Sequence, residues 1–398
     1  MDYKFLLDIG LIILVVKLLE LVTQRVHVPK ILASLLSGVL LGPAVLNIVQ
    51  SSSPIEFLSK IGIIFIMFLA GMETSFKRFL SGTRNFVVIA FLGALFPLIL
   101  GFLFSLAYNI DFGLNIFFGI VLISTSVSIT IQTLIDIKKI KTDVGTTILG
   151  IGFVNDIIAV IFLTLLLNST DLTFTSLFII GLKILIFFLI AILIAFIMHN
   201  VFQWYEAKFK LNERLPIFSI ALALIFSFFA ESFGVTGVIG AYIAGLAIGN
   251  TKQAKYIEKH VNTLVNMLFA PIFFASIGLK LQTLLLPFNV WLFIIFFSTI
   301  AILGKLLGHA LGAKLCKYTK TEAVQIALGM TTLGEISLIM LEEALSLNII
   351  NYEVFSIVVV SILLITLVSP ILFNISFKSK FINWLDKKHN STELKFDS

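Results

Sequence analysis

Apolar runs of helix length, separated by short polar segments, make up most of the chain. In a bilayer, a helix satisfies all of its own backbone hydrogen bonds, and about 20 apolar residues are enough to cross the hydrocarbon core. We therefore predict an all-α polytopic membrane protein with about 13 transmembrane helices. The predicted spans cover residues 5–23, 30–45, 55–74, 85–108, 114–136, 144–168, 173–202, 215–233, 235–250, 261–281, 290–315, 321–347 and 353–377.

The composition supports this prediction and excludes several other classes of protein. Of the 398 residues, 59% are hydrophobic and 13% are charged, and the mean hydropathy is +1.09. The net charge of +6 does not indicate nucleic acid, because the basic residues lie in short loops between apolar runs. The single Cys316 excludes an intrachain disulfide. Neither a nucleophile constellation, a metal-ligand spacing nor a phosphate loop is present, so we expect neither an enzyme nor a cofactor.

Basic residues follow every odd-numbered span and are almost absent from the intervening loops. Because positive loops stay in the cytoplasm, this alternation predicts an outside N-terminus and a cytoplasmic C-terminus. The residues concerned are Arg25 and Lys30; Lys77, Arg78 and Arg84; Lys138, Lys139 and Lys141; Lys208, Lys210 and Arg214; Lys252, Lys255 and Lys259; Lys314, Lys317 and Lys320; and, in the tail, Lys378, Lys380, Lys387 and Lys388.

An internal repeat relates the two halves of the chain. Shifting the sequence by 207 residues superimposes four pairs of small residues: Gly38 on Gly245, Gly42 on Gly249, Gly71 on Gly278, and Thr125 on Thr332. The shift spans seven predicted helices, an odd number, so the halves insert with opposite topology. Two inverted-topology repeats, spans 1–6 and 8–13 joined by span 7, are typical of secondary transporters.

Three charged residues fall in the middle of predicted spans. They are Asp156, Lys305 and Glu335. Each costs roughly 2.5–3.5 kcal/mol to insert, so such residues are usually functional. Asp156 and Lys305 invite pairing, which would make each group's protonation depend on its partner or on a bound cation. The alternative is a static ion pair that holds two helices together.

Spans 5 and 12 each carry small and hydroxyl residues at their centres. Span 5 contains Ser124, Thr125, Ser126 and Ser128, and span 12 contains Thr331, Thr332 and Gly334. We interpret both as broken helices, with carbonyls and hydroxyls able to replace the water around a cation. Lys305 and Glu335 would neutralise the helix ends. The alternative is that these residues line a tight helix–helix interface.

Two weaker candidates lie elsewhere. Glu73 ends span 3 and is a possible gating residue, although an interfacial carboxylate is the more ordinary interpretation. His309 lies one turn beyond Lys305, where a pH-sensing role is conceivable.

The sequence resembles the monovalent cation:proton antiporter-2 family, which includes bacterial sodium/proton antiporters and potassium-efflux proteins. The matching stretches are VPKILASLLSGVLLGP, FIMFLAGMET, ISTSVSIT, LGIGFVNDIIAV, LGKLLG and GMTTLGEISL. They cover almost the whole chain in the expected order.

The resemblance implies a homodimer in the bacterial inner membrane, with a core domain that moves like an elevator against a dimer domain. It also implies that the broken helices of spans 5 and 12 cross each other within the core. The dimer domain would comprise residues 1–84 and 211–288, and the core residues 85–170 and 289–377. Residues 171–210 would form a linker helix, and 378–398 a short cytoplasmic tail. No GxGxxG follows the last span, so we do not expect the fused regulatory nucleotide-binding domain of some potassium-efflux relatives.

One departure from the family pattern concerns stoichiometry. In the family that this chain resembles, electrogenic members typically carry two adjacent aspartates at the positions of Asn155 and Asp156. Electroneutral relatives share the Asn–Asp pair, but they often have Arg where this chain has Lys305. Asn155 removes the second anionic partner and favours electroneutral exchange, whereas loss of the Lys305 proton on cation binding would exchange two charges for one.

We hypothesise that Asp156 binds either a proton or a dehydrated cation, most simply Na⁺, with K⁺ and Li⁺ as alternatives. Asn155, Thr125, Ser126 and Ser128 would complete the site. The rival hypotheses are a channel-like potassium-efflux protein, a sodium-coupled organic-anion symporter of related fold, and a membrane sensor with vestigial transport residues.

Overall fold

The structure is a computed structural model. It describes residues 3–25, 30–73, 76–108, 112–140, 142–167, 186, 214–233, 237–249, 251, 253–281 and 287–378. The seventh predicted span, residues 173–202, lies outside these ranges apart from Ile186.

The regular structure of the described residues is helical throughout, which confirms the predicted class of helical membrane protein. In chain order the helices are α1 (Lys4–Arg25), α2 (Lys30–Leu41), α3 (Ser53–Glu73), α4 (Phe76–Ala107), α5 (Phe112–Val121), α6 (Val127–Asp136), α7 (Asp143–Leu167), α8 (Arg214–Ser232), α9 (Gly237–Gly249), α10 (Ala254–Leu264), α11 (Ala270–Leu279), α12 (Phe288–Leu315), α13 (Lys320–Gly329), α14 (Glu335–Ser346) and α15 (Tyr352–Ser376).

Six stretches of the described helices are long and apolar enough to cross a bilayer. They are Ser53–Glu73, Arg84–Ala107, Arg214–Ser232, Ala254–Leu279, Phe288–Leu315 and Tyr352–Ser376. The boundaries differ from the predicted spans where local chemistry intervenes. Helix α2 ends at Leu41 instead of residue 45, because Pro43 disfavours helical backbone before it and has no amide hydrogen. The count of thirteen spans stays a prediction.

The chain divides into two compact units. The first comprises Met1–Lys77 and Thr164–Leu284, and the second Arg78–Leu163 and Leu285–Ser398. In the first unit α2 packs on α11 and α3 packs on α9. In the second unit α12 packs on α13 and α15.

Glycines bring the helix backbones of the first unit together. A Cβ atom added to Gly38 of α2 would overlap the carbonyl oxygen of Ala275 of α11, and one added to Gly245 of α9 would overlap that of Phe68 of α3. Such close approach is possible only where a helix lacks side chains. The two contacts are equivalent: adding 207 to residue 38 gives residue 245, and subtracting 207 from residue 275 gives residue 68.

A second pair of glycines repeats the pattern. A Cβ on Gly71 would overlap the carbonyl oxygen of Tyr242, and one on Gly278 would overlap that of Leu35. Exchanging the halves through the same offset converts the first contact into the second. The repeat found in the sequence therefore coincides with repeated contacts in space.

A π-helical turn, Val265–Phe269, joins α10 to α11 in the first unit. The helix before it, α10, buries only Ile257 and Val261. The carbonyl oxygen of Asn266, within the turn, lies 3.4 Å from Nζ of Lys17. That ammonium also forms an ion pair with Glu20, at 3.0 Å.

In the second unit, glycines of α12 face α4. A Cβ on Gly304 would lie 2.8 Å from Cα of Pro97, and one on Gly308 would overlap the carbonyl oxygen of Leu92. Residues 97 and 304 are themselves 207 apart. Helix α12, which carries Lys305 and His309, is thus held directly against α4.

Candidate functional site

Two helix interruptions form the centre of the second unit. Helix α5 ends at Val121 and α6 begins at Val127, while α13 ends at Gly329 and α14 begins at Glu335. The intervening residues, 122–126 and 330–334, include the small and hydroxyl residues that the sequence singled out, except Ser128, which belongs to α6. Hydroxyl side chains favour such positions because they can bond the backbone groups that a helix end leaves unpaired.

The two interruptions contact each other directly. The backbone amide of Ser126 donates to the carbonyl oxygen of Thr332 at 3.1 Å, and the Thr332 hydroxyl donates to the carbonyl oxygen of Ser126 at 3.0 Å. A Cβ on Gly334 would overlap Cβ of Ser126. Only glycine therefore fits where the two segments meet.

Further hydroxyls fasten the crossing on both sides. The Thr130 hydroxyl donates to the carbonyl oxygen of Gly329 at 2.7 Å and lies 3.1 Å from the Thr332 hydroxyl. The Ser124 and Ser337 hydroxyls are hydrogen-bonded to each other. Ser337 also lies 3.1 Å from the carbonyl oxygen of Val121. Backbone groups released by the two breaks thus find partners within the protein.

Lys305 of α12 places its ammonium at the carbonyl ends of both interrupted helices. Its Nζ donates to the carbonyl oxygen of Ser124 and, at 2.7 Å, to the hydroxyl of Thr125. The carbonyl oxygen of Met330, which follows α13, lies 3.5 Å away. A cation at helix C-termini compensates the partial negative charge of the unpaired carbonyls. The location agrees with the charge-compensating role that the sequence suggested for this lysine.

The hydroxyl of Thr125 joins three groups at once. It accepts from Lys305 and, at 3.4 Å, from Nδ2 of Asn155, and it donates to the carbonyl oxygen of Met330 at 3.3 Å. A threonine hydroxyl has one proton and two lone pairs. All three are used, so in this arrangement the Thr125 side chain organises the site and has no free lone pair for a cation.

Asn155 of α7 is fully buried. Its Nδ2 lies 3.3 Å from Nε2 of His309, in addition to the contact with Thr125. Its Oδ1 is buried and has no hydrogen-bond partner among the described residues. Because buried polar atoms are nearly always paired, an unpaired oxygen beside Asp156 marks a place where a ligand can bind.

His309 was a minor candidate in the sequence, and the structure places it inside this cluster. Its side chain is fully buried, and its Nδ1 lies 2.8 Å from the carbonyl oxygen of Lys305, one turn earlier. A Cβ on Gly93 of α4 would overlap the imidazole ring. The histidine therefore occupies a slot that glycine leaves open.

The remaining predicted residues are distributed as follows. Asp156 lies within α7 directly after Asn155, and Glu335 is the first residue of α14, but the side chains of Asp156, Glu335 and Ser128 lie outside the described part of the structure. The Thr331 hydroxyl donates to the carbonyl oxygen of Leu328 at 2.8 Å. Glu73 is the exposed last residue of α3, in the first unit.

Sequence reasoning missed Thr130 and Ser337 and underrated His309. Thr130 lies four residues after Ser126, the spacing at which a helical hydroxyl reaches a carbonyl oxygen one turn back, and the 3.2 Å contact is present. Ser337 had no comparable local signal, because its partners Ser124 and Val121 are distant in sequence.

Comparison with known proteins places this chain in a transport family. A family model described as sodium/hydrogen exchanger, transmembrane, matches residues 10–377. The Na⁺/H⁺-K⁺ antiporter GerN of Bacillus cereus is 31% identical over 96% of this chain and 98% of its own length. The Na⁺/H⁺ antiporter of Enterococcus hirae is 33% identical over 91% of this chain and 95% of its own.

A solved structure shows the same fold. The sodium proton antiporter MjNhaP1 from Methanocaldococcus jannaschii superimposes with a TM-score of 0.71, covering 92% of this chain and 95% of that chain at 19% identity. The resemblance to cation/proton antiporters is thereby confirmed. This chain belongs to the sodium/hydrogen exchanger family of transmembrane antiporters.

Proposed function

We propose that this chain exchanges a monovalent cation, in the first place Na⁺, for a proton at Asp156. The observation that carries the proposal is the buried Oδ1 of Asn155, next to Asp156 in α7, which has no hydrogen-bond partner among the residues that the structure describes. A dehydrated alkali cation needs oxygen ligands and no hydrogen-bond donor, which an unpaired amide oxygen beside a carboxylate supplies.

Exchange follows from competition for a single carboxylate. Asp156 binds the cation or the proton, never both, and only the neutralised site crosses the apolar barrier, because an unpaired charge in the membrane is costly. Asn155 Oδ1 stabilises the cation-bound form, because it is an additional oxygen ligand for the cation. A vestigial sensor needs no such oxygen.

Transport is electroneutral in this proposal because Lys305 keeps its charge. Its ammonium is bound by the Ser124 carbonyl and the Thr125 hydroxyl, and losing a proton would weaken both interactions. If the lysine charge is constant, one cation exchanges for one proton. Asn155 removes the second carboxylate that a different ratio would use.

The wider architecture is also part of the proposal. We assign residues 1–84 and 211–288 to a dimer domain of a homodimer and residues 85–170 and 289–377 to a core that moves as an elevator. Inverted repeats are supported by the glycine contacts that recur at the 207-residue offset. The inner-membrane location with a cytoplasmic C-terminus rests on the basic loops.

The test is ion-driven proton movement in proteoliposomes that contain the purified protein and a fluorescent pH probe. Na⁺, K⁺ and Li⁺ are added in turn. Asp156→Asn, which removes the charge at nearly constant size, should reduce the signal to that of empty vesicles. Asp143→Asn, at the start of the same helix, is the matched control and should keep the exchange. Persisting exchange in Asp156→Asn would defeat the proposal.

Imposing a membrane potential with valinomycin and K⁺ separates the remaining possibilities. Electroneutral exchange gives a rate that does not change with the potential. A rate that follows the potential would refute the 1:1 ratio while leaving Asp156 as the site. Uncoupled conductance without proton movement would instead identify a potassium-efflux channel.

A further inference from the structure

The tautomer of His309 can be assigned from its neighbours. Its Nδ1 lies 2.8 Å from the carbonyl oxygen of Lys305, and a carbonyl only accepts hydrogen bonds. Nδ1 therefore carries the proton. In a neutral imidazole the other nitrogen, Nε2, is then a bare acceptor.

This assignment fixes the orientation of the Asn155 amide. Nε2 of His309 can only accept, so the end of the amide that lies 3.3 Å away must be the NH₂ group. Thr125 makes the same demand independently, because its proton is donated to Met330 and its lone pair faces Asn155. Both partners hold the NH₂ group of the amide, and the oxygen is left unpaired.

The ring itself is held in place from three sides. The hydrogen bond to Lys305 fixes it on its own helix, Gly93 of α4 leaves the space that it fills, and Asn155 of α7 meets its Nε2. The charged group nearest to it in sequence on α12 is Lys305. A buried side chain that is closely packed and hydrogen-bonded in this way can impose a geometry on a neighbour, because packing restricts its own movement.

We propose that His309 is a positioning residue of the ion site. By accepting from Nδ2 of Asn155, it holds the amide in the orientation that leaves Oδ1 available to the transported cation. Without this acceptor, the orientation of the amide rests on the 3.4 Å contact with Thr125 alone, and the amide presents its NH₂ group, which a cation repels, in a larger share of molecules. This inference rests on the function proposed above and adds a residue that acts only through Asn155.

Two amide substitutions of His309 test the proposal as a matched pair. The amide of Gln reaches the former position of Nε2 and can accept from Asn155, whereas the shorter amide of Asn reaches only the former position of Nδ1. The apparent KM for Na⁺ and the maximal rate are measured in proteoliposomes at fixed pH. We expect His309→Asn to raise the KM about tenfold, as loss of an outer-shell partner typically does, and His309→Gln to restore most of that affinity.

A purely structural role predicts a different result. Loss of the ring would then lower the maximal rate of both variants alike, with no difference in KM between them, and that outcome overturns the proposal. If His309→Asn does not yield folded protein, Gly93→Ala is measured instead, since its methyl group displaces the ring from Asn155 while His309 remains. A folded Gly93→Ala protein with the wild-type KM would equally overturn it.

The Asn155→Asp background shows whether His309 acts through the amide. A carboxylate has oxygen at both ends, so orientation has no consequence there, and adding His309→Asn should change the KM less than about twofold. A tenfold effect in this background contradicts the proposal. Asp156→Asn is measured in the same series: persisting exchange there refutes the proposed function, whereas abolished exchange with an unaffected KM in His309→Asn refutes only the positioning role.

Discussion

The two units respond differently to the same 207-residue offset. In the first unit, the contact of Gly38 with Ala275 recurs as the contact of Gly245 with Phe68. Each of these glycines has a glycine at the equivalent position, and the residues that they touch, Ala275 and Phe68, are themselves related by the offset although they differ in size. These helix contacts of the first unit therefore occur twice, once at each of the two positions related by the offset.

Four polar residues of the second unit have no polar counterparts at the positions related to them by the offset. Position 98, the equivalent of Lys305, is Leu98, and position 102, the equivalent of His309, is Phe102. The equivalents of Asn155 and Asp156, at positions 362 and 363, are isoleucine and leucine. These polar residues therefore do not follow the 207-residue offset, whereas the glycine contacts do.

The difference shows that the glycine contacts follow the offset whereas the buried cluster of Lys305, His309 and Asn155 does not. Helix packing gains from repetition, because each contact needs only a small residue and a facing backbone. A second buried charged cluster would cost several kcal/mol to place in the membrane. One half therefore supplies Lys305, the other supplies Asp156, and the helix breaks of both halves bring them into one unit.

The largest effect should come from replacing Lys305 with the residue type found at the equivalent position of the other half. Lys305→Leu introduces the residue type of position 98 and leaves the Ser124 and Met330 carbonyls without their ammonium. We expect complete loss of ion-driven proton movement and a loss of roughly 1–3 kcal/mol in stability. Transport in proteoliposomes and thermal unfolding in detergent measure the two effects.

Lys314→Leu is the control for this variant, because Lys314 lies on the same helix and is exposed. It should transport as the wild type does. Exchange that survives in Lys305→Leu would mean that the asymmetry at this position has no functional weight.

The next effect concerns the repeated contacts of the first unit. Gly38→Ala and Gly245→Ala each place a methyl group into a facing carbonyl, and we expect each to destabilise the protein by a similar amount, about 1–3 kcal/mol. Gly10→Ala, with open space around its Cβ, should be neutral or slightly stabilising. Melting temperatures in detergent provide the measurement. Strongly unequal losses for Gly38→Ala and Gly245→Ala would argue against equivalence of the two contacts.

A smaller effect is expected at the crossing of the helix breaks. Thr332→Val keeps the shape and removes the hydroxyl that bonds Ser126 and Thr130, which should cost about 1–2 kcal/mol of stability and slow transport. Thr299→Val removes an exposed hydroxyl that bonds only its own helix and should change neither property. If the two variants behaved alike, the hydroxyls of the crossing would not be holding it together.

The smallest effect uses Cys316, the single cysteine, as a reporter confined to the second unit. Burial raises the pKa of its thiol, and the charge of Arg84 partly opposes that shift. Because the thiolate is the reactive form, alkylation by N-ethylmaleimide near neutral pH should be slower than for a cysteine peptide and should rise as the pH increases. Arg84→Gln should slow it further; faster alkylation in that variant would contradict the assignment of causes.

Much of the second unit was predictable because its signals are chemical. Lys305 and Asp156 were evident as charges inside apolar runs, and the hydroxyl clusters at Thr125 and Thr332 indicated where the helices are interrupted. The sequence did not reveal that the Thr125 hydroxyl is fully occupied by protein partners. Hydrogen-bond saturation depends on partners from α7, α12 and α13 at once, which no local pattern encodes.

The site residues that sequence reasoning underrated act through distant neighbours. His309 gains its meaning from Asn155 and from Gly93, which are remote in the chain and carry no charge. Glycine is also ambiguous in a sequence, since Gly93 makes room for a ring whereas Gly38 makes room for a backbone. Only the packing distinguishes these two uses.

The π-helical turn at Val265–Phe269 has a consequence for helical phase. Such a turn inserts one extra residue, so everything before it is rotated by about 100° relative to a continuous α-helix. That rotation sets which side of α10 is buried, and it is Ile257 and Val261 that face inward. Deleting one residue from the turn would rotate α10 and carry both side chains away from their packing surface. Packing in the first unit thus depends on the rotation of α10 as well as on the glycines. Residues 58–62 of α3, which precede the turn by 207 residues, belong to a regular α-helix.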